Sequence, residues 1–145
     1  MKQMQFTVEI SADRQKVWDT LWQDKTFREW AGLIDPGTYM VGELKAGNEV
    51  QFISAENGYG VTSLVAEVTP CESLLLKNKA DTQKSGTESR DDEWTGGEEN
   101  YSLTEKEGTT SLSAAFDVPP EMEEYFALNY PKALQRVKEL AEAST

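Results

Sequence analysis

The sequence predicts an α+β domain in which a curved, seven-stranded antiparallel sheet closes around a long C-terminal helix. Three observations carry this reading. Met4, Phe6, Val8 and Ile10 alternate with polar residues, the period of a strand with one buried face. Six further strand-like runs, separated by turn-forming residues, follow Pro36. Residues 121–142 then carry apolar side chains at three- and four-residue spacing, the period of a helix with one buried stripe.

The elements follow in order. After the first strand the period changes at Ser11-Ala12-Asp13, where Ser11 or Asp13 can cap a helix by accepting an orphan backbone N–H. Val17, Trp18, Leu21 and Trp22 place four large side chains on one face of that helix. A second short helix over 25–31 contributes Phe27 and Trp30, and Gly32 is placed to stop it. Strands are expected over 39–44, 49–54, 59–68, 73–79, 99–105 and 109–118. Ala46-Gly47-Asn48, Asn57-Gly58 and Glu107-Gly108 supply turns, and Pro70 ends a strand. Sequential strands with short turns make an antiparallel meander. The polar stretch 80–97 fits two descriptions: flanking strands that run into it with Ser85-Gly86 as the turn, or a flap carrying Trp94. Pro119-Pro120 ends the last strand and opens the final helix, which Pro131 should bend or divide.

Composition bounds the function classes. A chain of 145 residues is expected to form one domain, 1–145, with a core that needs no disulfide. Its 14 basic and 26 acidic residues leave a net charge of −12, which repels phosphate backbones and anionic membranes. No nucleic-acid partner is expected. The single cysteine, Cys71, cannot close an internal disulfide, and no apolar run approaches the ~20 residues that span a bilayer. A cytoplasmic monomer is the default expectation, with no membrane insertion.

Ser11 to Trp22, Trp30 at the end of the second helix, and Leu44 to Asn48 in a hairpin together resemble the START-like (SRPBCC) superfamily with its helix-grip fold. So do Val68-Thr69-Pro70 with Leu74, and the final stretch Tyr125-Phe126, Tyr130-Pro131, Leu134 and Leu140. Within that superfamily the chain is similar to the family of the activator of the ninety-kilodalton heat-shock chaperone ATPase, as a stand-alone, bacterial-type member. The resemblance implies a fold much like that of the birch-pollen allergen, with the long helix on the concave face of the sheet. It also implies a space between them that often holds an apolar ligand. Folds of this kind host many functions, so it does not fix the activity.

The chemistry points away from common catalysis. With no histidine, every Ser-His or Cys-His pair and the commonest metal ligand are missing. No metal site, cofactor or catalytic residue is expected. Glu88, Asp91, Asp92, Glu93, Glu98 and Glu99 read as a solvated acidic face rather than as acid–base pairs. Glu72 beside Cys71 should raise the thiol pKa. Trp30, Tyr39, Phe52, Tyr101, Phe116, Phe126 and Tyr130 are placed to face the space between sheet and helix. They either fill the core or line a ligand cavity. The expected function is therefore non-enzymatic binding of a small apolar or aromatic ligand. The alternatives are a protein-interaction, chaperone-cofactor-like module and, through the superfamily resemblance, an enzyme of the polyketide cyclase-like type. A buried carboxylate with a shifted pKa would favour the enzyme.

Overall fold

The alternation of the first ten residues becomes β1 (Lys2–Ile10), with Met4, Phe6 and Val8 half-buried and Ile10 fully buried. The structure, a computed structural model, describes residues 1–143. Asp13 caps α1 (Arg14–Trp22) by accepting from the Lys16 N–H at 2.8 Å, as expected of one of the two candidate caps. α2 (Asp24–Ala31) follows after a single residue and ends at Gly32. There a Cβ would lie 2.8 Å from the Arg28 carbonyl oxygen, so glycine is required by the close approach.

The remaining strands are β2 (Thr38–Val41), β3 (Glu49–Ser54), β4 (Gly60–Thr69), β5 (Ser73–Gln83), β6 (Glu88–Ser89), β7 (Glu98–Lys106) and β8 (Thr109–Val118). They form one antiparallel sheet ordered β1-β8-β7-β5-β4-β3-β2, with the two-residue β6 paired to β5 off that path. β1 pairs with β8 along its whole length, from Lys2 opposite Val118 to Ile10 opposite Thr110. The first and second strands therefore lie at opposite edges, and α1 and α2 carry the chain between them. Two register shifts in the β4–β5 pair, at Thr62/Ser63 and Val65/Glu67, add local bend to the curl. At the β7–β8 hairpin, Glu107 and Gly108 both take positive φ (53° and 81°), the turn geometry that matches strand twist.

A short 3-10 turn, Pro120–Met122, leads into α3 (Glu123–Ala143). Tyr130, Ala133, Leu134, Val137 and Ala141 are its buried stripe, and Phe126 packs partly buried against the same core. α3 lies along β1 and beside α1 and α2, so all three helices share the cover of the concave face. Of the two outcomes expected at Pro131, a bend or a division, the helix is not divided. Proline deprives the Ala127 carbonyl of its N–H partner, and both residues sit on the exposed side, where the freed carbonyl is open to solvent.

The stretch 80–97 resolves in favour of extended flanking strands. β5 runs on to Gln83, the turn falls at Lys84-Ser85-Gly86 with all three at positive φ, and β6 returns antiparallel to β5. The rest of the stretch folds back over the end of the sheet.

Candidate functional site

The sheet, α2 and the first half of α3 frame a cavity of about 180 Å³ that is partly open to solvent. Its walls are mostly aromatic. Phe27 meets Trp30 and Phe52 edge-on at 5.2 and 5.8 Å, Trp22 meets Tyr101 at 5.1 Å, and Phe116 meets Tyr130 at 4.4 Å. The Trp30 indole N–H is already taken, donating to the Leu21 carbonyl at 3.0 Å. Gly60 opens β4 on this wall because any side chain there would strike the Phe52 carbonyl oxygen at 2.6 Å.

Of the residues placed facing this space by the sequence, Trp30, Phe52, Tyr101, Phe116, Phe126 and Tyr130 line the cavity. Tyr39 does not. It stands half-buried on the short edge strand β2, its ring 5.1 Å from the Arg28 guanidinium of α2. A cation–π partner on the neighbouring helix holds it there.

The polar part of the wall was missed. Glu99 is not part of a solvated face: it shares the inner face of β7 with Tyr101 and Leu103 and lines the cavity. The Tyr101 hydroxyl donates to Glu99 Oε1 at 3.2 Å, and the Tyr101 and Tyr130 hydroxyls lie 3.0 Å apart. A chain of three ionisable groups therefore runs from the sheet to α3. Burial disfavours the Glu99 anion and raises its pKa from 4.5 to about 7, against the opposing effect of the Tyr101 hydrogen bond. Burial likewise pushes both phenols up. The signal was present: Glu99, Tyr101 and Leu103 keep period two, but Glu98 beside them makes the stretch look uniformly acidic.

The mouth is built by a second carboxylate. Asp81, fully buried at the end of β5, accepts from the backbone N–H groups of Trp94 and Thr95 at 3.0 and 2.9 Å and from the Thr95 hydroxyl at 2.6 Å. The Arg90 guanidinium pairs with Asp81 at 3.3 Å and with Glu93 at 3.2 Å, and donates to the Thr82 carbonyl at 2.7 Å. It also lies 5.0 Å from the ring of Tyr59. These bonds set Trp94 against Phe126, ring centroids 5.2 Å apart, and both rings line the cavity.

Cys71 lies outside this site, in a turn at φ +66°, its thiol donating to Gln15 at 3.2 Å. Its pKa is raised as expected, but chiefly by burial and then by Asp19, with Glu72 a lesser cause. Among the described residues no group of His, Cys, Asp and Glu is arranged to hold a metal ion. Likewise no described helix is long and apolar enough to cross a membrane.

No family model and no curated protein matches the sequence. Solved structures do match in shape. A Mesorhizobium loti protein superposes with a TM-score of 0.75 at 15% identity, covering 99% of both chains. The Aha1 dimer from Colwellia psychrerythraea gives 0.71 at 16% identity, covering 98% of this chain and 97% of that one. DynU16, a protein in the dynemicin biosynthetic locus, gives 0.70 at 13% identity, with this chain spanning 49% of its length. The curled antiparallel half-barrel and its long C-terminal helix thus define a helix-grip-like, START-like α+β fold. At these identities the likeness is one of fold alone.

Proposed function

We propose that this chain binds a small, mostly aromatic or apolar molecule in the cavity between the sheet, α2 and α3. The observation that supports it is the aromatic-lined space of about 180 Å³ between the sheet and the helices. An apolar cavity of about 150 Å³ holds benzene, whereas drug-sized ligands occupy pockets of about 300–1,000 Å³. The space is therefore of about one-ring size. Burying roughly 150–250 Å² of such a ring gains about 4–6 kcal/mol, a millimolar to tens-of-micromolar dissociation constant. Specificity must then come from the polar wall. A thermal-shift screen of one- and two-ring compounds, followed by native mass spectrometry, tests this reading. A library that leaves the Tm unmoved and the mass unliganded refutes it.

The Glu99 carboxyl, held near neutrality beside two phenols, favours a second reading: acid–base catalysis of the kind a polyketide cyclase-like enzyme performs. A general acid–base group works best with its pKa near the operating pH, and Glu99 is placed to exchange a proton with a molecule in the cavity. Incubating the compounds found by the screen with the protein and following their conversion by mass spectrometry separates the two readings. Turnover lost in Glu99→Gln with binding retained supports the enzyme; unchanged compounds support the binding module. A chaperone-cofactor-like role draws support from the shared fold and the acidic surface. A pull-down that recovers no protein partner argues against it.

A further inference from the structure

Among the described residues, two acidic groups on the cavity wall form no ion pair: Asp35, which accepts from the Asn57 amide, and Glu99, which stands on the inner face of the sheet. The hydrogen-bond partner of Glu99 is the Tyr101 hydroxyl, and among the described residues no Lys or Arg forms an ion pair with it. Arg90, which also lines the cavity, is committed to Asp81, Glu93 and the Thr82 carbonyl. We infer that the cavity takes a one-ring organic molecule bearing a basic nitrogen, held as its ammonium form against the Glu99 carboxylate and the surrounding aromatic faces. This deepens the ligand-binding reading above and rests on it.

Three features favour that chemistry over a neutral or acidic ligand. An ammonium supplies the counter-charge that Glu99 lacks, and charge-assisted hydrogen bonds are roughly twice as strong as neutral ones. The rings of Trp22, Phe116 and Phe126 line the same space and offer the negative π faces that attract a cation. The net charge of −12 draws cations towards the protein and repels carboxylates. The phenol chain is arranged to help. With Glu99 ionised, Tyr101 donates to the carboxylate and Tyr130 can donate to Tyr101, so two O–H dipoles stabilise the charge that the ammonium needs.

The protons balance in either route. A neutral amine meeting the neutral acid takes its proton: the Glu99 O–H bond breaks, an N–H bond forms, and the complex keeps the same number of protons. An ammonium ion meeting the neutral acid releases the Glu99 proton to solvent, so its affinity rises with pH until Glu99 is ionised beforehand. The other titratable or charged groups on the cavity wall are Tyr101 on the same strand, Tyr130 from α3, Tyr59 and Arg90 at the mouth, and Asp35 after α2. Glu99's strand neighbours Leu76 and Phe116 carry no charge.

Isothermal titration of the full chain with benzylamine, benzyl alcohol and benzoate, at about pH 6 and about pH 8, tests the inference. Benzylamine should bind about tenfold more tightly than benzyl alcohol at the higher pH. Its affinity should fall at the lower pH, whereas that of the alcohol stays constant. Glu99→Gln should erase the preference for the amine, with circular dichroism and urea unfolding of the same sample showing that the variant is folded. Alcohol or benzoate binding as tightly as the amine, or an amine preference that survives Glu99→Gln, overturns the inference and leaves the ligand-binding reading standing. Failure of all three compounds to bind counts against both.

Discussion

Replacing Glu99 by Gln should stabilise the protein, and only on the alkaline side. In the unfolded chain the carboxyl titrates near 4.5, and in the folded protein at about 7. Below the lower value both states hold the proton, so ionisation costs nothing. As pH rises between the two values, the unfolded chain gives up the proton and the folded protein keeps it, so stability falls. Above about 7 the folded protein carries a half-buried anion. The gap between 4.5 and about 7, at 1.36 kcal/mol per pH unit, makes the cost of that anion about 3 kcal/mol. Gln has nearly the same shape, accepts the Tyr101 hydrogen bond and never ionises. Urea unfolding should therefore find parent and variant about equal at about pH 4 and the variant about 3 kcal/mol more stable at about pH 8. For a chain of this size that corresponds to a Tm gain of about 6–12 °C. The other carboxylates titrate alike in both proteins and cancel in the difference. A stability difference that is the same at both pH values would show that Glu99 ionises freely, and would remove the reasoning that ties it to the cavity.

Asp81→Ala removes the acceptor of three hydrogen bonds from Trp94 and Thr95 and leaves Arg90 without its buried partner. The expected cost is about 3–5 kcal/mol in denaturant unfolding, with faster proteolytic nicking within 84–97 as a local readout. Leu134→Ala opens a hole in the stripe by which α3 grips the rest of the fold, where Leu134 is only 2% exposed. It should cost about 2–5 kcal/mol by the same measurement. Cys71, whose thiol is held above its ordinary pKa by burial and Asp19, should react with iodoacetamide more slowly at about pH 7.5 in the folded than in the urea-unfolded protein, as followed by mass shift.

Much of the architecture was legible because it rests on local period. The two-residue alternation of Met4 to Ile10, the spacing of Phe126, Tyr130, Leu134 and Val137, and the Glu107-Gly108 turn each depend on a few neighbouring residues. The structure places them as read. Where the reading went astray or stopped short, the deciding partner was distant. Pro131 left a bend and a division both open, because sequence shows the lost N–H but not the exposed side on which the freed carbonyl lies. Tyr39 looked like a cavity residue until Arg28 of α2 claimed its ring. Asp81 did not stand out within the polar stretch 80–97, because its role depends on a loop that returns thirteen and fourteen residues later to bond it.

The sequence by itself determined the order of strands and helices, the stripe of α3 and the aromatic character of the interior, since these follow from side-chain period and from water's exclusion of apolar surface. Only the tertiary structure decided that space remains among those rings, and that Glu99 faces it while Glu98 faces away. A void is the difference between the volume the backbone encloses and the volume the side chains fill. A carboxyl's pKa depends on what surrounds it in three dimensions. Neither quantity is a property of any short run of residues.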